Sequence, residues 1–227
     1  FSPEMRVLEI GVGTGRIALP LASYVHALVG VDLSAAMLAR LRAKWRGEPV
    51  WSLRGDATRL PLRAASMDGA VAVHVFHLIP NWRDALQELA RVLRPSARLV
   101  SAYSDRSDTP STVHDLLRQA WDEAVGQEQT RNVGVSRDEY ATFLADAGWR
   151  QVGEPEVVAY TQARTPREHI DLMERRRWSS CWRLDDEVIE RGVAAMRAVL
   201  DREGIDPDTP YDTHSQFKAV AYLPPET

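Results

Sequence analysis

Over the first 104 residues, short apolar runs alternate with stretches of helical periodicity, and this alternation restricts the chain to very few folds. The apolar runs are RVLEI (6–10), HALVGVD (26–32), VWSLRGD (50–56), DGAVAVHVFHLI (68–79) and ARLVSAYS (97–104). Among them stand GRIALPLASY (15–24), SAAMLARLRAKW (34–45) and RDALQELARVLRP (83–95), whose apolar residues recur at i, i+3, i+4. Strands alternating with helices build an α/β architecture, a doubly wound parallel sheet covered by helices on both faces. The nearly unbroken 68–79 run predicts a strand buried on both sides up to Ile79. Ser34 is the expected N-cap of the 34–45 helix, and Pro95 the expected stop of the 83–95 helix.

The second half reads as more helical, with helices predicted over 111–125, 136–148, 165–178 and 186–204. Ser136 with Glu139 and Thr165 with Glu168 have capping-box spacing, and Pro166 sits at the first helical position. Strands are expected at 156–163 and 216–223. The whole of 1–227 is read as one domain, with 105–135 and 163–210 as helical insertions folding over the active site.

At 227 residues with a net charge of −4, the composition gives no support to general nucleic-acid binding. The single Cys181 excludes an internal disulfide framework and a Cys-based zinc site. No apolar run reaches a membrane span and no signal-peptide pattern opens the chain, so a cytoplasmic location is expected. The chain opens at Phe1 only a few residues before its first strand, and is expected to be a fragment lacking an N-terminal segment.

Ligands of a doubly wound sheet bind outside the carboxyl ends of its strands. Here those ends carry Glu9, Asp32 and Asp56, with Gly11, Gly13 and Gly15 following the first. Asp32 lies about 20 residues beyond Gly11, the separation of a carboxylate that accepts from ribose hydroxyls. A dinucleotide fits badly: GVGTGR lacks the G-x-G-x-x-G spacing, and an acidic rim repels a pyrophosphate. A P-loop is excluded because no Gly-Lys-Ser/Thr follows the glycines. The crevice suits a nucleoside that carries positive charge and no phosphate, which describes S-adenosylmethionine.

The segments VLEIGVGTGRIALPLA, GVDLSAAML, GDATRLPLRAASMDGAVAVHVFHLI and ALQELARVLRP together resemble the class I S-adenosylmethionine-dependent methyltransferases, most of all the bacterial small-molecule type. The resemblance runs continuously over about residues 5–104, and LADAGWRQV is similar to the family's later helix-to-strand join. It implies a Rossmann-like sheet of seven strands whose last, here 216–223, is antiparallel. It also implies that Gly11, Gly13 and Gly15 let the methionine moiety approach, with Glu9 orienting the loop or reaching the ammonium group through water. Asp32 would bind the ribose with Leu33 against the adenine. Asp56 and the Ala57 N–H would meet the adenine edge, and Val73 and His74 would face the ammonium and the methyl. The sequence departs from the family after RVLRP, where Ser96 and Ala97 replace the usual glycines.

The resemblance implies transfer of a methyl group to a small-molecule acceptor by in-line displacement. The alternative is a catalytically silent protein that binds the cofactor as sensor or scaffold. No metal is required. A base is needed only if the acceptor must lose a proton, and His74 and His77 are then the candidates. By strand alternation they point to opposite faces, and a structural role is an equal reading for each. Arg176 and Arg177 fall within the apolar arc of the 165–178 helix. They suit a clamp on an anionic substrate beside Trp178, or stems that cover apolar surface. The latter reading is preferred. A monomer or homodimer with no membrane partner is expected.

Overall fold

The computed structural model describes residues 1–106, 111–126 and 135–226. RVLEI forms β1 (Arg6–Ile10), pairing in parallel with both β2 (Ala27–Asp32) and β4 (Met67–Val73). β2 pairs in parallel with β3 (Val50–Arg54), and β4 with β5 (Leu93–Arg106). With β6 (Arg150–Arg164) and the antiparallel β7 (Tyr211–Leu223), the order is β3-β2-β1-β4-β5-β7-β6. Strands are added on one side of β1 up to β3 and on its other side from β4. The strand order therefore reverses between the parallel β1 and β4, the switch point at which such sheets bind ligands.

Side-chain alternation divides the parallel strands between two cores. Leu8, Ile10, Val31, Ala70 and Ala72 pack with α3 (Trp82–Val92) and α5 (Arg137–Asp146) on one face. Val7, Leu28 and Val71 meet α1 (Ala18–Leu21) and α2 (Ala35–Lys44) on the other. Glu9 is on the Val7 side, and that places its carboxyl under the start of α1. Ser34 caps α2 as expected, its hydroxyl accepting from the Met37 N–H.

Several element boundaries differ from those expected. β6 begins at Arg150 and β7 at Tyr211, earlier than the expected 156 and 216. Three further differences concern β4 and two helices. β4 stops at Val73, because His74 has φ +51 and Phe76–Leu78 turn into a 3-10 helix. α3 ends at Val92, before Pro95: Leu93 already pairs with Met67, and pairing then skips to Arg98 opposite Gly69. The chain before the proline is pushed towards extended backbone, which ends the helix early. α6 (Pro166–Glu174) keeps its full Thr165–Glu168 capping box but stops four residues short of Trp178.

The chain divides into two compact units. One comprises 1–103, 133–157 and 218–227, and the other 104–132 and 158–217. Of the expected 105–135 insertion, residues 107–110 and 127–134 lie outside the described residues. The second unit has its own core, formed by α4 (Thr112–Val125), α6 and α7 (Asp186–Glu203) around Leu117, Trp121, Ile170, Val193 and Met196. Gly192 lets the Trp121 ring lie on α7, since a Cβ there would be 2.5 Å from a ring carbon. Among the described residues no helix is long and apolar enough to cross a membrane.

Candidate functional site

The loop after β1 turns on three glycines with left-handed backbone, Gly11 at φ +68, Gly13 at +54 and Gly15 at +77. They differ in what surrounds them. A Cβ at Gly11 would be 2.4 Å from Val75 Cγ2, and one at Gly15 3.0 Å from Leu41 Cγ, so both positions are closed by packing. At Gly13 the nearest atom is the Gly11 carbonyl oxygen at 3.8 Å, which leaves the loop's middle open. The Gly13 N–H donates to Asp32 Oδ2 at 2.8 Å, and the Ser34 N–H donates to Oδ1 at 2.8 Å. Asp32 thereby ties the end of β2 to the glycine loop and keeps further lone pairs on both oxygens.

Leu33, beside it, is 68% exposed, an apolar surface adjoining the acidic group. Asp56 is exposed, and its Oδ1 accepts from the Thr58 N–H at 2.9 Å and the Thr58 hydroxyl at 2.8 Å. These bonds hold its carboxyl below the usual range and leave Oδ2 outside the turn. Ala57 is half-buried. Val73 ends β4, and His74 follows in the left-handed region with its N–H donated to the Ala102 carbonyl at 3.0 Å. A non-glycine residue held there marks stored strain, which clusters at functional sites. His77 lies in the 3-10 turn, so strand alternation governs neither histidine.

Glu9 is 3% exposed, and among the described residues no donor reaches its Oε2. Burial pushes its pKa up to about 8; the Arg16 charge and the Ala18 N–H pull down, and Asp32 pushes further up. The carboxyl is protonated at neutral pH, and a cation arriving beside its orphaned buried oxygen at the root of the glycine loop would favour the ionised form. Because the folded pKa lies above the unfolded 4.5, stability is fully retained below pH 4.5. It is lost as pH rises through about 8. Glu9→Gln is therefore expected to flatten the fall in stability between pH 5 and 8, which approaches about 1.4 kcal/mol per pH unit in the parent. Urea unfolding at several pH values measures it; an unchanged slope would show that Glu9 titrates normally.

Two residues of this region were not anticipated from the sequence. The Lys44 ammonium donates to Thr14 Oγ1 at 3.0 Å and to the Thr14 carbonyl at 3.3 Å, pinning the loop from the last turn of α2. The only signal was that Lys44 is one of two lysines among 28 basic residues.

Arg176, Arg177 and Trp178 lie in the second unit, beyond the end of α6 rather than on it. The Arg176 guanidinium donates to the Cys181 carbonyl at 2.9 Å, to the Leu184 carbonyl, and to Asp186 Oδ1 at 2.5 Å. It staples the turn that follows α6. Arg177 is exposed, and Trp178 is half-buried.

The first unit is thus an α/β domain whose parallel strands end in acidic residues beside a tethered glycine loop. Residues 8–101, a stretch shorter than half of the chain, match the family model described as a methyltransferase domain. The chain is 41% identical over 99 residues to a phosphatidylethanolamine N-methyltransferase of Cereibacter sphaeroides, covering 42% of this chain and 48% of that protein. It spans about half the length of the curated relatives it matches. Among solved structures, a type II methyltransferase from Anaeromyxobacter dehalogenans superposes with a TM-score of 0.72 at 16% identity over 100% of both chains. A Haemonchus contortus phosphoethanolamine N-methyltransferase, solved with S-adenosyl-L-methionine, gives 0.54 at 20% identity over 100% of this chain and 50% of that one.

Proposed function

We propose that this protein binds S-adenosylmethionine in the crevice of its first unit and transfers the methyl group to a small-molecule acceptor. The observation that carries the reading is the pairing of an open, tethered Gly13 with the buried, unsatisfied Glu9 oxygen at one strand end. When bound, the cofactor supplies an electrophilic methyl carbon on a sulfonium, whose C–S bond breaks as the acceptor bonds to carbon. In this reading Asp32 accepts from the ribose hydroxyls, Leu33 covers the adenine, and Asp56 with the Ala57 N–H meets its edge. Glu9, Gly11, Gly13 and Gly15 shape the methionine end, and the Val73–His74 backbone faces the ammonium. Holding two reactants in line contributes up to roughly 7–11 kcal/mol in well-aligned cases. A hydroxyl acceptor would give its proton to His74 or His77. The segments 105–135 and 163–210 carry acceptor choice, and the reading is of a cytoplasmic enzyme of bacterial type. The relatives named above support methyl transfer as the activity class.

Calorimetric titration with S-adenosylmethionine, S-adenosylhomocysteine and NADH tests it. Micromolar affinity for the first two and none for NADH is expected. Because ionised Glu9 suits a cation, binding at pH 7 should also release a proton, seen as a heat that depends on the buffer. NADH binding alone overturns the reading, and tight cofactor binding without turnover of any acceptor favours a sensor.

A further inference from the structure

In the second unit, five segments bring one cation and four rings together. Arg164 ends β6, Tyr211 begins β7, His114 lies on α4, His169 on α6, and Trp178 follows α6. The Arg164 guanidinium carbon is 5.7 Å from the centroid of the Trp178 ring. His169 meets Trp178 edge-on at 5.0 Å and His114 at 5.2 Å. Tyr211 lies 6.5 Å from both histidines, and its hydroxyl is hydrogen-bonded to His169 Nδ1 at 2.7 Å.

Only His169 is fully buried; the other four side chains are half-buried and retain surface. Burial drives the His169 pKa down to about 3, helped by His114 and Arg164, so its ring is neutral. Burial also raises Tyr211 to about 12, while Arg164 pulls it back. The Arg164 charge therefore acts on both members of the His169–Tyr211 pair. Among the described residues no carboxylate pairs with Arg164. A half-buried guanidinium set among rings without a counter-ion has lost hydration and gained no anion. Two other partly buried charges are matched: Arg176 by Asp186 and two carbonyls, Asp32 by two N–H groups.

We propose that Arg164, Trp178, His114, His169 and Tyr211 form a ligand-binding site within the second unit, and that its ligand is a flat unsaturated ring bearing a carboxylate. Arg164 takes the carboxylate, the rings of Trp178, His114 and Tyr211 meet the flat body, and the Tyr211 hydroxyl, positioned by His169, offers a polar contact. Arg164 is the one guanidinium of the cluster and matches one negative charge; a phosphate, carrying nearly two, leaves excess charge unmatched. This binding does not depend on the methyl-transfer reading of the first unit.

The test titrates 2-hydroxybenzoate, its neutral amide and phenyl phosphate, up to about 10 mM, into protein with and without S-adenosylhomocysteine. Calorimetry and the nitrogen-15 signals of the histidine rings are the readouts. The acid is expected to bind saturably and to shift the His114 and His169 signals, with the amide and the phosphate weaker. Arg164→Gln should lower its affinity about tenfold or more, and Arg164→Lys recover part, with S-adenosylhomocysteine affinity unchanged. Should Arg164→Gln not fold, Tyr211→Phe supplies the comparison, with weaker acid binding and unmoved cofactor affinity. Equal binding of acid and amide, preference for the phosphate, no histidine shift, or no saturable binding overturns the proposal. Failure of S-adenosylhomocysteine to bind while the acid still binds removes the methyl-transfer reading and leaves the anion site standing.

Discussion

Asp32→Ala should weaken S-adenosylmethionine and S-adenosylhomocysteine binding by about 100-fold or more in a calorimetric titration. The carboxylate holds two backbone N–H groups at 2.8 Å, one on the glycine loop and one at the start of α2. Alanine leaves both donors without this acceptor and removes the tie on Gly13, which sits at φ +54 beside open space on its Cβ side. Hydrogen bonds to charged groups contribute roughly 1.5–3 kcal/mol each, so the loop should also become less stable. The affinity loss combines a disordered cradle with missing acceptors for the ribose. Asp32→Asn keeps one carbonyl oxygen and is expected to lose only about tenfold. A lower melting temperature with unaltered affinity would reduce Asp32 to a staple of the loop.

Gly11→Ala is the largest expected loss of stability. The new methyl would lie 2.4 Å from Val75 Cγ2 and 3.1 Å from Val75 Cβ, in a backbone at φ +68. Left-handed backbone costs an alanine about 1–2 kcal/mol, and overpacking a closed site adds about 1–3 kcal/mol. A total of roughly 2–5 kcal/mol should appear as a lower urea midpoint with an unaltered slope. Combining it with Val75→Ala should return the overpacking part and keep the backbone part. Gly13→Ala is the contrast: its site is open, so stability should fall by only about 1–2 kcal/mol while cofactor binding suffers. Equal stability losses at the two positions would contradict this division.

What the sequence disclosed follows from how local each relation is. The five-fold alternation specified the parallel sheet, because strand faces and helix faces are set by neighbouring residues. Glu9, the glycines and Asp32 were legible for the same reason: each sits at a strand end, and strand ends meet in one crevice. His74 and His77 were misplaced because the apolar run outlasts the strand; Phe76 continues into the core from a 3-10 turn. The arginines after Glu174 were misplaced because helical periodicity continues past the helix, whose end depends on Arg176 reaching Cys181, Leu184 and Asp186. Arg164 drew no notice at all. Its importance lies in lacking a carboxylate, a property of everything packed around it.

The sheet order sets a schedule for folding on the ribosome. β5 lies between β4 and β7, yet β7 ends at Leu223, well over a hundred residues after β5 is complete. At synthesis rates of roughly 5–20 residues per second, the edge of β5 waits on the order of 5–25 seconds for its neighbour. During that interval an early-formed first unit presents an unpaired, apolar strand edge, the surface that invites pairing between chains. Slower translation of the segment after Arg106 lengthens that exposure, so the yield of native protein should depend on how fast the last strand is made.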